Sequence, residues 1–203
     1  LCSEGFLHNF RRMDPLRRQL LAALPAMCIA PAAAATIERP DPELRRVLLG
    51  AASASDSFGD RFEAEVWLTD MSRRLSRQVP GPEERIEILT RVHYEAHRAS
   101  LEPELVLAVI DVESNFDRYA VSVAGALGLM QVMPFWLDEI GRPGDNLIHV
   151  NTNLRYGCTI LKFYLDKENG DLVRGLGRYN GSLGKRKYPN KVINKLTGKW
   201  FKA

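Results

Sequence analysis

With 203 residues, 45% of them hydrophobic, the chain is long enough to form one compact domain and too apolar to be disordered throughout. Its formal net charge is only +3, but the charge is uneven, because nine basic residues and no acidic residue follow Asp171. The basic residues are Arg174, Arg178, Lys185, Arg186, Lys187, Lys191, Lys195, Lys199 and Lys202. Such a segment suits an anionic partner (a glycan carrying peptide carboxylates, a nucleic acid or a lipid surface), and it equally suits a solvated basic face.

Residues 1–35 are predicted to hold upstream residues followed by an export signal. Arg17 and Arg18 precede an apolar run from Leu20 to Ala30, and the four alanines at 32–35 offer small residues for cleavage. The apolar run is too short for a membrane-spanning helix. We therefore expect an exported protein of the periplasm or cell envelope, without a transmembrane segment once the signal is removed.

The remaining chain is predicted to be mostly α, because apolar residues recur at helical spacing and no segment alternates with a period of two. Pro80-Gly81-Pro82 separates a short helical annex at 36–80 from a larger domain at 81–203. The predicted helices cover residues 43–49, about 61–78, 83–100, 103–113, a stretch that begins near 134, 153–165, 172–178 and 188–196.

The sequence offers few ligands for a cofactor, and none is predicted. Cys158 is the only cysteine beyond the export signal, and its apolar helical surroundings indicate a core residue rather than a nucleophile. His93 and His97 have the spacing of two metal ligands on a helix, but the zinc-protease pattern requires glutamate directly after the first histidine. Glu95 projects to the other side of the helix, and the only further histidine in this region is the distant His149.

One carboxylate occupies an unusual place at the end of the predicted helix 103–113. Glu113 falls on the same face as Val106 and Ile110, at the end of a buried apolar stripe, whereas Asp111 falls roughly opposite, where we expect it to be solvated. Burial and the negative end of the helix dipole would both raise the pKa of Glu113, which suits a general acid. The alternative, a frayed helix end with Glu113 in water, stays open at this point.

The residues after Glu113 predict a tight, glycine-containing turn. Ser114-Asn115 favours the end of the helix, and Gly125 and Gly128 permit close approach of the backbone or unusual dihedral angles. Gln131 lies in an otherwise apolar run, so its amide requires a partner, such as a sugar hydroxyl or an acetamido group.

The order of several short motifs is more specific than any one of them. They are Glu113-Ser114, then Gly128-Leu129-Met130-Gln131-Val132-Met133-Pro134, Asn153-Leu154 with Gly157 and Tyr164-Leu165, Tyr179-Asn180-Gly181, and Tyr188-Pro189 with Val192. This order strongly resembles the soluble lytic transglycosylase family, whose catalytic (SLT) domain has a goose-type lysozyme-like helical fold. The resemblance covers about residues 83–203.

The resemblance implies an enzyme that cleaves the bond between N-acetylmuramic acid and N-acetylglucosamine in the glycan strands of peptidoglycan, and it implies no nucleic-acid partner. By the same resemblance, Glu113 is the catalytic acid/base, and the sugar site is lined by Ser122, Gln131, Met133, Tyr179 and Asn180. Arg178 replaces the alanine that usually precedes the tyrosine of the family motif. An unidentified envelope protein remains open as a second partner.

The family mechanism requires a single carboxyl group, which protonates the leaving oxygen and then activates the muramoyl 6-hydroxyl to give a 1,6-anhydro product. Most glycosidases instead use two carboxylates. Asp117, beyond the turn, is a second acid of unknown direction. The sequence therefore leaves open a hydrolytic lysozyme (muramidase) on the same fold, and also a catalytically inactive wall-binding module.

Overall fold

The computed structural model describes residues 61–201, all of which fall within one compact unit. This part of the chain is mostly helical and contains no β-strand, which confirms the predicted fold class. Its helices are α1 Arg61–Leu75, α2 Pro82–Arg98, α3 Pro103–Glu113, α4 Phe135–Ile140, α5 Val150–Lys167, α6 Leu172–Tyr179 and α7 Lys187–Lys195, followed by a π-helical turn at Leu196–Trp200. The predicted export signal and the predicted helix 43–49 lie outside the described residues.

Helix α3 lies at the centre of the core. Residues 106–110 have no exposed surface, as expected for a helix that is apolar on all sides. Helices α2 and α7 and the π-helical turn pack around α3, while α5 packs against α2 and α6. Pro103 stands in the first turn of α3, where its missing N–H carries no penalty, and Ser114 caps its end. Within residues 61–201, no helix is both long and apolar enough to cross a bilayer.

Helix α1, which belongs to the predicted annex, contributes to the same core. Met71, Leu75 and Val79 are buried in the cluster that contains α2 and α3. Arg85 in α2 donates a hydrogen bond to the carbonyl oxygen of Val79 at 2.7 Å. The domain boundary at residues 80/81 stays a prediction, although the described part of the annex packs directly on the larger domain.

The segment between α3 and α4 forms a compact loop without regular strands. Two isolated antiparallel bridges, Val121 with Leu127 and Leu127 with Val132, fold it back on itself. Gly125 and Gly128 have φ angles of +85° and +70°, in the left-handed region that other residues avoid. The prediction that these glycines permit unusual dihedral angles is confirmed.

The side chain of Asn153 in α5 holds this loop against the helices. Its Oδ1 accepts a hydrogen bond from the backbone N–H of Met130, and its Nδ2 donates to the carbonyl oxygens of Leu127 and Leu147, each at 2.8 Å. A Cβ atom on Gly128 would lie 2.5 Å from Nδ2 of Asn153, so the close approach requires glycine. Asn153 is 1% exposed, and its three bonds are therefore shielded from water.

We predict that Asn153→Ala lowers the free energy of unfolding by about 2–4 kcal/mol, because three buried backbone groups lose their partner. Urea unfolding followed by circular dichroism measures the change. Asn151→Ala, an exposed substitution of the same kind on the same helix, serves as the control and should change stability by less than about 0.5 kcal/mol. Equal losses in the two variants would contradict the assigned role of the Asn153 bonds.

Candidate active site

Glu113 lies at the last position of α3 with its side chain largely removed from water. The hydroxyl of Tyr188, from α7, donates a hydrogen bond to its Oε1 at 2.6 Å. Burial raises the pKa of Glu113 from 4.5 to about 7, and the hydrogen bond from Tyr188 opposes this rise. The predicted upward shift is confirmed, so the carboxyl group holds a proton over much of the neutral range.

Two tyrosine hydroxyls from different helices accompany this carboxyl group. Tyr179, at the end of α6, donates to the carbonyl oxygen of Met130 at 2.7 Å. Burial and the charge of Glu113 raise the pKa values of Tyr179 and Tyr188 well above their ordinary range, so both hydroxyls remain neutral donors. The sequence indicates Tyr188 only as part of the motif Tyr188-Pro189. Its contact with Glu113 joins residues 75 positions apart and gave no local signal.

The turn formed by residues 128–131 is attached to both sides of the site. Ser114 Oγ, directly after Glu113, donates to the carbonyl oxygen of Leu129 at 2.8 Å. The next residue, Met130, receives the bond from Tyr179 described above. The end of α3, the turn and the end of α6 are therefore linked by direct hydrogen bonds.

Gln131 finds partners for its amide N–H groups within the protein. Its Nε2 donates to the carbonyl oxygens of Gly128 at 2.9 Å and Ala120 at 3.2 Å. The expectation that this amide requires a partner is confirmed for its donor side, where the loop supplies two acceptors, and a sugar contact of Gln131 stays a prediction. Gln131 has a φ of +49°, and these bonds help to hold that unfavourable backbone conformation.

The other predicted sugar-binding residues lie in the same loop or at a helix end. Ser122 Oγ accepts a hydrogen bond from the backbone N–H of Ala126 at 3.0 Å, which closes the loop around Gly125. Met133 is partly buried against the core, and Asn180 is exposed at the C-terminal end of α6. The structure thus joins Glu113, Tyr179 and the turn, whereas sugar contacts of Ser122, Met133 and Asn180 stay predictions.

Asp111 is buried, so the expectation that it is solvated is wrong. Its carboxylate accepts hydrogen bonds from Lys195 Nζ at 2.6 Å, from Lys199 Nζ at 3.1 Å and from Trp200 Nε1 at 3.1 Å. Burial alone would raise the pKa of Asp111, but the hydrogen bonds and charges of Lys195 and Lys199 outweigh it and hold the pKa below its usual value. A carboxylate can therefore be buried on the face of α3 opposite Glu113, because residues distant in sequence supply hydrogen-bond donors there.

The eight basic residues between Asp171 and Phe201 divide into two groups, while Lys202 lies outside the described residues. Arg174 and Arg178 both form ion pairs with Glu168, and Lys195 and Lys199 pair with Asp111. Four further cations are exposed on the outer surface: Lys185, Arg186, Lys187 and Lys191. Only this second group presents charge to a partner without first breaking an internal ion pair.

Cys158, His93 and His97 are the remaining side chains that could act as nucleophiles or metal ligands, and each packs against other side chains of the protein. Cys158 has no exposed surface, and burial raises the pKa of its thiol, which confirms the predicted core position. The rings of His93 and His97 lie 4.6 Å apart, and the ring of Trp67 lies 5.1 Å from His93. Among residues 61–201, no group of three or more histidine, cysteine or carboxylate side chains is placed to hold a metal ion.

The raised pKa of Glu113 has a consequence for stability. Below about pH 4.5 the carboxyl group is protonated in both states, but between there and about pH 7 it ionises only in the unfolded chain, so folding is progressively disfavoured. We predict that Glu113→Gln, which cannot ionise, is more stable than the wild type by about 1–3 kcal/mol at pH 8, with most of this gain absent at pH 4. Urea unfolding at the two pH values measures it, with the exposed Glu83→Gln as control. A gain that is independent of pH would contradict the burial of Glu113.

Comparison with curated proteins gives short but specific similarities. The chain is 50% identical over 48 residues to membrane-bound lytic murein transglycosylase C of Actinobacillus pleuropneumoniae. The matched residues are 24% of this chain and 13% of that protein. The transglycosylase of Enterobacteria phage PRD1 is 31% identical over 104 residues, or 48% of this chain and 38% of the phage protein. The chain thus spans only 13% of the length of the first of these relatives.

Solved structures with similar backbones include an inactive mutant of the lytic transglycosylase Slt from Pseudomonas aeruginosa. It has a TM-score of 0.43 and 22% sequence identity, and covers 77% of this chain and 34% of that one. A 70-kDa soluble lytic transglycosylase in complex with bulgecin A has a TM-score of 0.41 and 19% sequence identity. The match covers 66% of this chain and 24% of that transglycosylase. The family model described as the transglycosylase SLT domain matches residues 91–200, which include Glu113, Tyr179 and Tyr188. Since this match extends over more than half of the chain, the protein belongs to the transglycosylase SLT family.

Proposed function

We propose that the protein is a peptidoglycan lytic transglycosylase, which cleaves the bond between N-acetylmuramic acid and N-acetylglucosamine and leaves 1,6-anhydromuramoyl ends. The observation that carries the proposal is Glu113, a carboxyl group held protonated near neutral pH by burial and contacted by a tyrosine hydroxyl. Membership of the SLT family supports it, as do relatives named as lytic murein transglycosylases. No cofactor is required by this chemistry.

The reaction needs one acid that becomes a base. Glu113 donates its proton to the glycosidic oxygen as the bond from that oxygen to the muramoyl C1 breaks. The muramoyl acetamido oxygen stabilises the positive charge that develops at C1. The Glu113 carboxylate then removes the proton of the muramoyl 6-hydroxyl as O6 bonds to C1. The acid is regenerated, and no water is consumed.

The surroundings of the other acids favour this reaction over hydrolysis. A lysozyme with two carboxylates needs the second one beside the sugar, where it either activates a water molecule or acts as the nucleophile. Asp111 is occupied by two lysines and a tryptophan on the face opposite Glu113. Asp117 is exposed and accepts a hydrogen bond from the backbone N–H of Tyr119 in its own turn. Hydrolysis remains the alternative that product analysis distinguishes.

The proposed sugar-binding role of each residue rests on its hydrogen-bonding groups or its apolar surface. Tyr179 and Ser122 are proposed to orient the acetamido group, and Asn180 to offer its exposed amide to a neighbouring sugar. The Oε1 of Gln131 is proposed to accept a sugar hydroxyl proton, since its Nε2 is engaged by the loop. Met133 is proposed as an apolar wall of the cleft.

We also propose that the protein acts at the cell envelope after export, where peptidoglycan is accessible. The name of the Actinobacillus pleuropneumoniae relative refers to a membrane-bound protein, and the sequence of residues 1–35 predicts an export signal. The exposed cations Lys185, Arg186, Lys187 and Lys191 are proposed to favour a wall polymer that carries peptide carboxylates.

We predict that the wild-type protein releases muropeptides from purified peptidoglycan that are lighter by one water and lack a reducing end. Glu113→Gln should lower the rate at least about a hundredfold, because proton transfer is lost. Asp117→Asn, the control, should retain the wild-type rate and products. Mass spectrometry of the released fragments measures both. Ordinary reducing ends would show a hydrolase, and wall binding without cleavage by the wild type would favour a binding module.

The Tyr188 hydroxyl offers a second test of the acid. It lowers the pKa of Glu113, so Tyr188→Phe should raise that pKa above about 7. Activity that requires protonated Glu113 falls as pH rises through this pKa. We therefore predict that the alkaline limb of the pH profile of kcat/KM moves to higher pH in Tyr188→Phe, but not in Tyr94→Phe on α2. A limb that stays in place would assign the alkaline limb to another group.

A further inference from the structure

The most deeply buried charge in the core is not the proposed catalytic acid but Asp111, two residues before it. The side chain of Asp111 has no exposed surface, and its three donors are the side chains of Lys195, Lys199 and Trp200. All three come from one short stretch, Lys195–Trp200, which we call the clasp segment. Nothing in the proposed reaction uses Asp111, so its burial requires a separate explanation.

The clasp segment also contacts the turn that follows Glu113. Asn115 and Phe116 have φ angles of +51° and +68°, a left-handed conformation that is unfavourable for a bulky residue such as Phe116. The ring of Trp200 packs on that of Phe116 with a centroid distance of 5.4 Å, and Lys199 Nζ lies 4.2 Å from the centroid of Trp200. The segment therefore holds α3 both before and after Glu113.

The first helices complete this arrangement. Gln78, just after α1, donates to Asn115 Oδ1 at 2.7 Å and accepts a hydrogen bond from Lys199. Arg74 donates to the carbonyl oxygen of Lys199 at 2.6 Å. The clasp segment is thus fixed from outside by α1, so it is a rigid support for the end of α3 rather than a loose end of chain.

Helix α7 contacts the two carboxylates near the C-terminal end of α3. Tyr188, near its first residue, binds Glu113, and Lys195, its last residue, binds Asp111. Two hydrogen bonds to opposite faces of α3 therefore fix how α7 lies on the last turn of α3.

We propose that Asp111 is a positioning residue for Glu113: together with Lys199 and Trp200 it fixes the last turn of α3 and the strained turn beyond it, and so sets where the Glu113 carboxyl lies against Tyr188. This inference rests on the proposed function only in giving Glu113 a catalytic role. The groups that face Glu113 itself are Tyr188 from α7 and Tyr179 from α6. Asp111 lies on the opposite face of α3 and acts through the backbone.

The charged hydrogen bonds of Asp111, rather than packing alone, define the orientation of the end of α3. A buried carboxylate is tolerated only when hydrogen bonds and cations compensate its desolvation, and an apolar residue of similar size would often be as stable. Directional bonds to three donors nevertheless define one orientation of the helix end, which apolar contacts do not. Lys195 is 46% exposed and borders a cavity of about 430 Å³, whereas Lys199 is 28% exposed and does not line that cavity, so Lys199 and Trp200 should matter more.

The test compares variants that remove one donor or the acceptor in the full chain. Asp111→Asn removes the charge, Trp200→Phe removes one hydrogen bond and leaves every charge in place, and Lys199→Met is paired with Lys199→Arg, which keeps the cation. The control is Lys191→Met, which changes a lysine that borders the same cavity and forms no ion pair with any of residues 61–201. Thermal unfolding first establishes a temperature at which each variant is folded.

Two readouts separate positioning from stability. The first is kcat and KM on purified peptidoglycan. The second is the titration midpoint of Glu113, followed by carbon-13 NMR of labelled glutamate carboxyls with the signal identified by its loss in Glu113→Gln. We expect Asp111→Asn to lower kcat at least about tenfold with KM changed less than about twofold. Its Glu113 midpoint should fall from about 7 by half a unit or more as water reaches the carboxyl group.

Trp200→Phe and Lys199→Met should move both readouts in the same direction, while Lys199→Arg and Lys191→Met stay close to the wild type. Folded variants with a lower Tm but an unchanged kcat and Glu113 midpoint would overturn the proposal, leaving the cluster a purely stabilising role. A changed kcat and Glu113 midpoint in Asp111→Asn alone would also overturn the proposal. That result would show that the unpaired charges of Lys195 and Lys199 act on Glu113 electrostatically, without a change in its position. If Asp111→Asn does not fold, the Trp200 and Lys199 variants decide.

Failure of the proposed function gives a different result. A wild-type protein that forms no anhydro product would remove the reaction, but the NMR titration would still report whether Asp111 positions Glu113. A product with the expected end together with an unchanged midpoint in all variants would retain the function and remove the positioning role.

Discussion

The whole site depends on the removal of one carboxyl group from water at the end of an apolar helix. Helix α3 is surrounded by other helices, and its residues 106–110 have no contact with solvent. Because the helix ends at Glu113, the first polar group of its buried face emerges where α6, α7 and the 128–131 turn meet. Desolvation there raises the pKa of Glu113 to about 7. The remaining contacts orient this group or exclude water from it.

Local sequence patterns are sufficient to predict helix α3 and the glycine-containing turn that follows it. The apolar stripe of α3 defines its length, and the Ser114-Asn115 pair after it marks the end that the structure shows. Gly128 was predicted from residue type alone to adopt an unusual conformation, and the structure adds that Asn153 lies too close for any side chain there. Periodicity and turn chemistry are properties of neighbouring residues, so they are readable in one sequence.

Long-range contacts could not be predicted in the same way. Asp111 was expected in water because helical periodicity reports only which face a residue occupies, not what covers that face. Its donors lie 84 to 89 residues further along the chain. Likewise, the sequence predicts that the amide of Gln131 needs a partner but does not say which, and the fold of its own loop brings carbonyl oxygens to that amide. Both cases have the same physical cause, since satisfaction of a buried polar group is decided by tertiary structure.

Asp111 and Glu113 show how environment alone separates two carboxyl groups on one helix. Both are withdrawn from water, and burial favours the protonated form of each. Asp111 receives three donors, two of them cationic, and remains ionised, whereas Glu113 receives one neutral hydroxyl and retains its proton near neutral pH. The difference therefore lies in the number and charge of the donors rather than in depth of burial. A protein that needs both a fixed helix end and a proton donor can obtain them from a single turn of one helix, provided that the cations reach only one face.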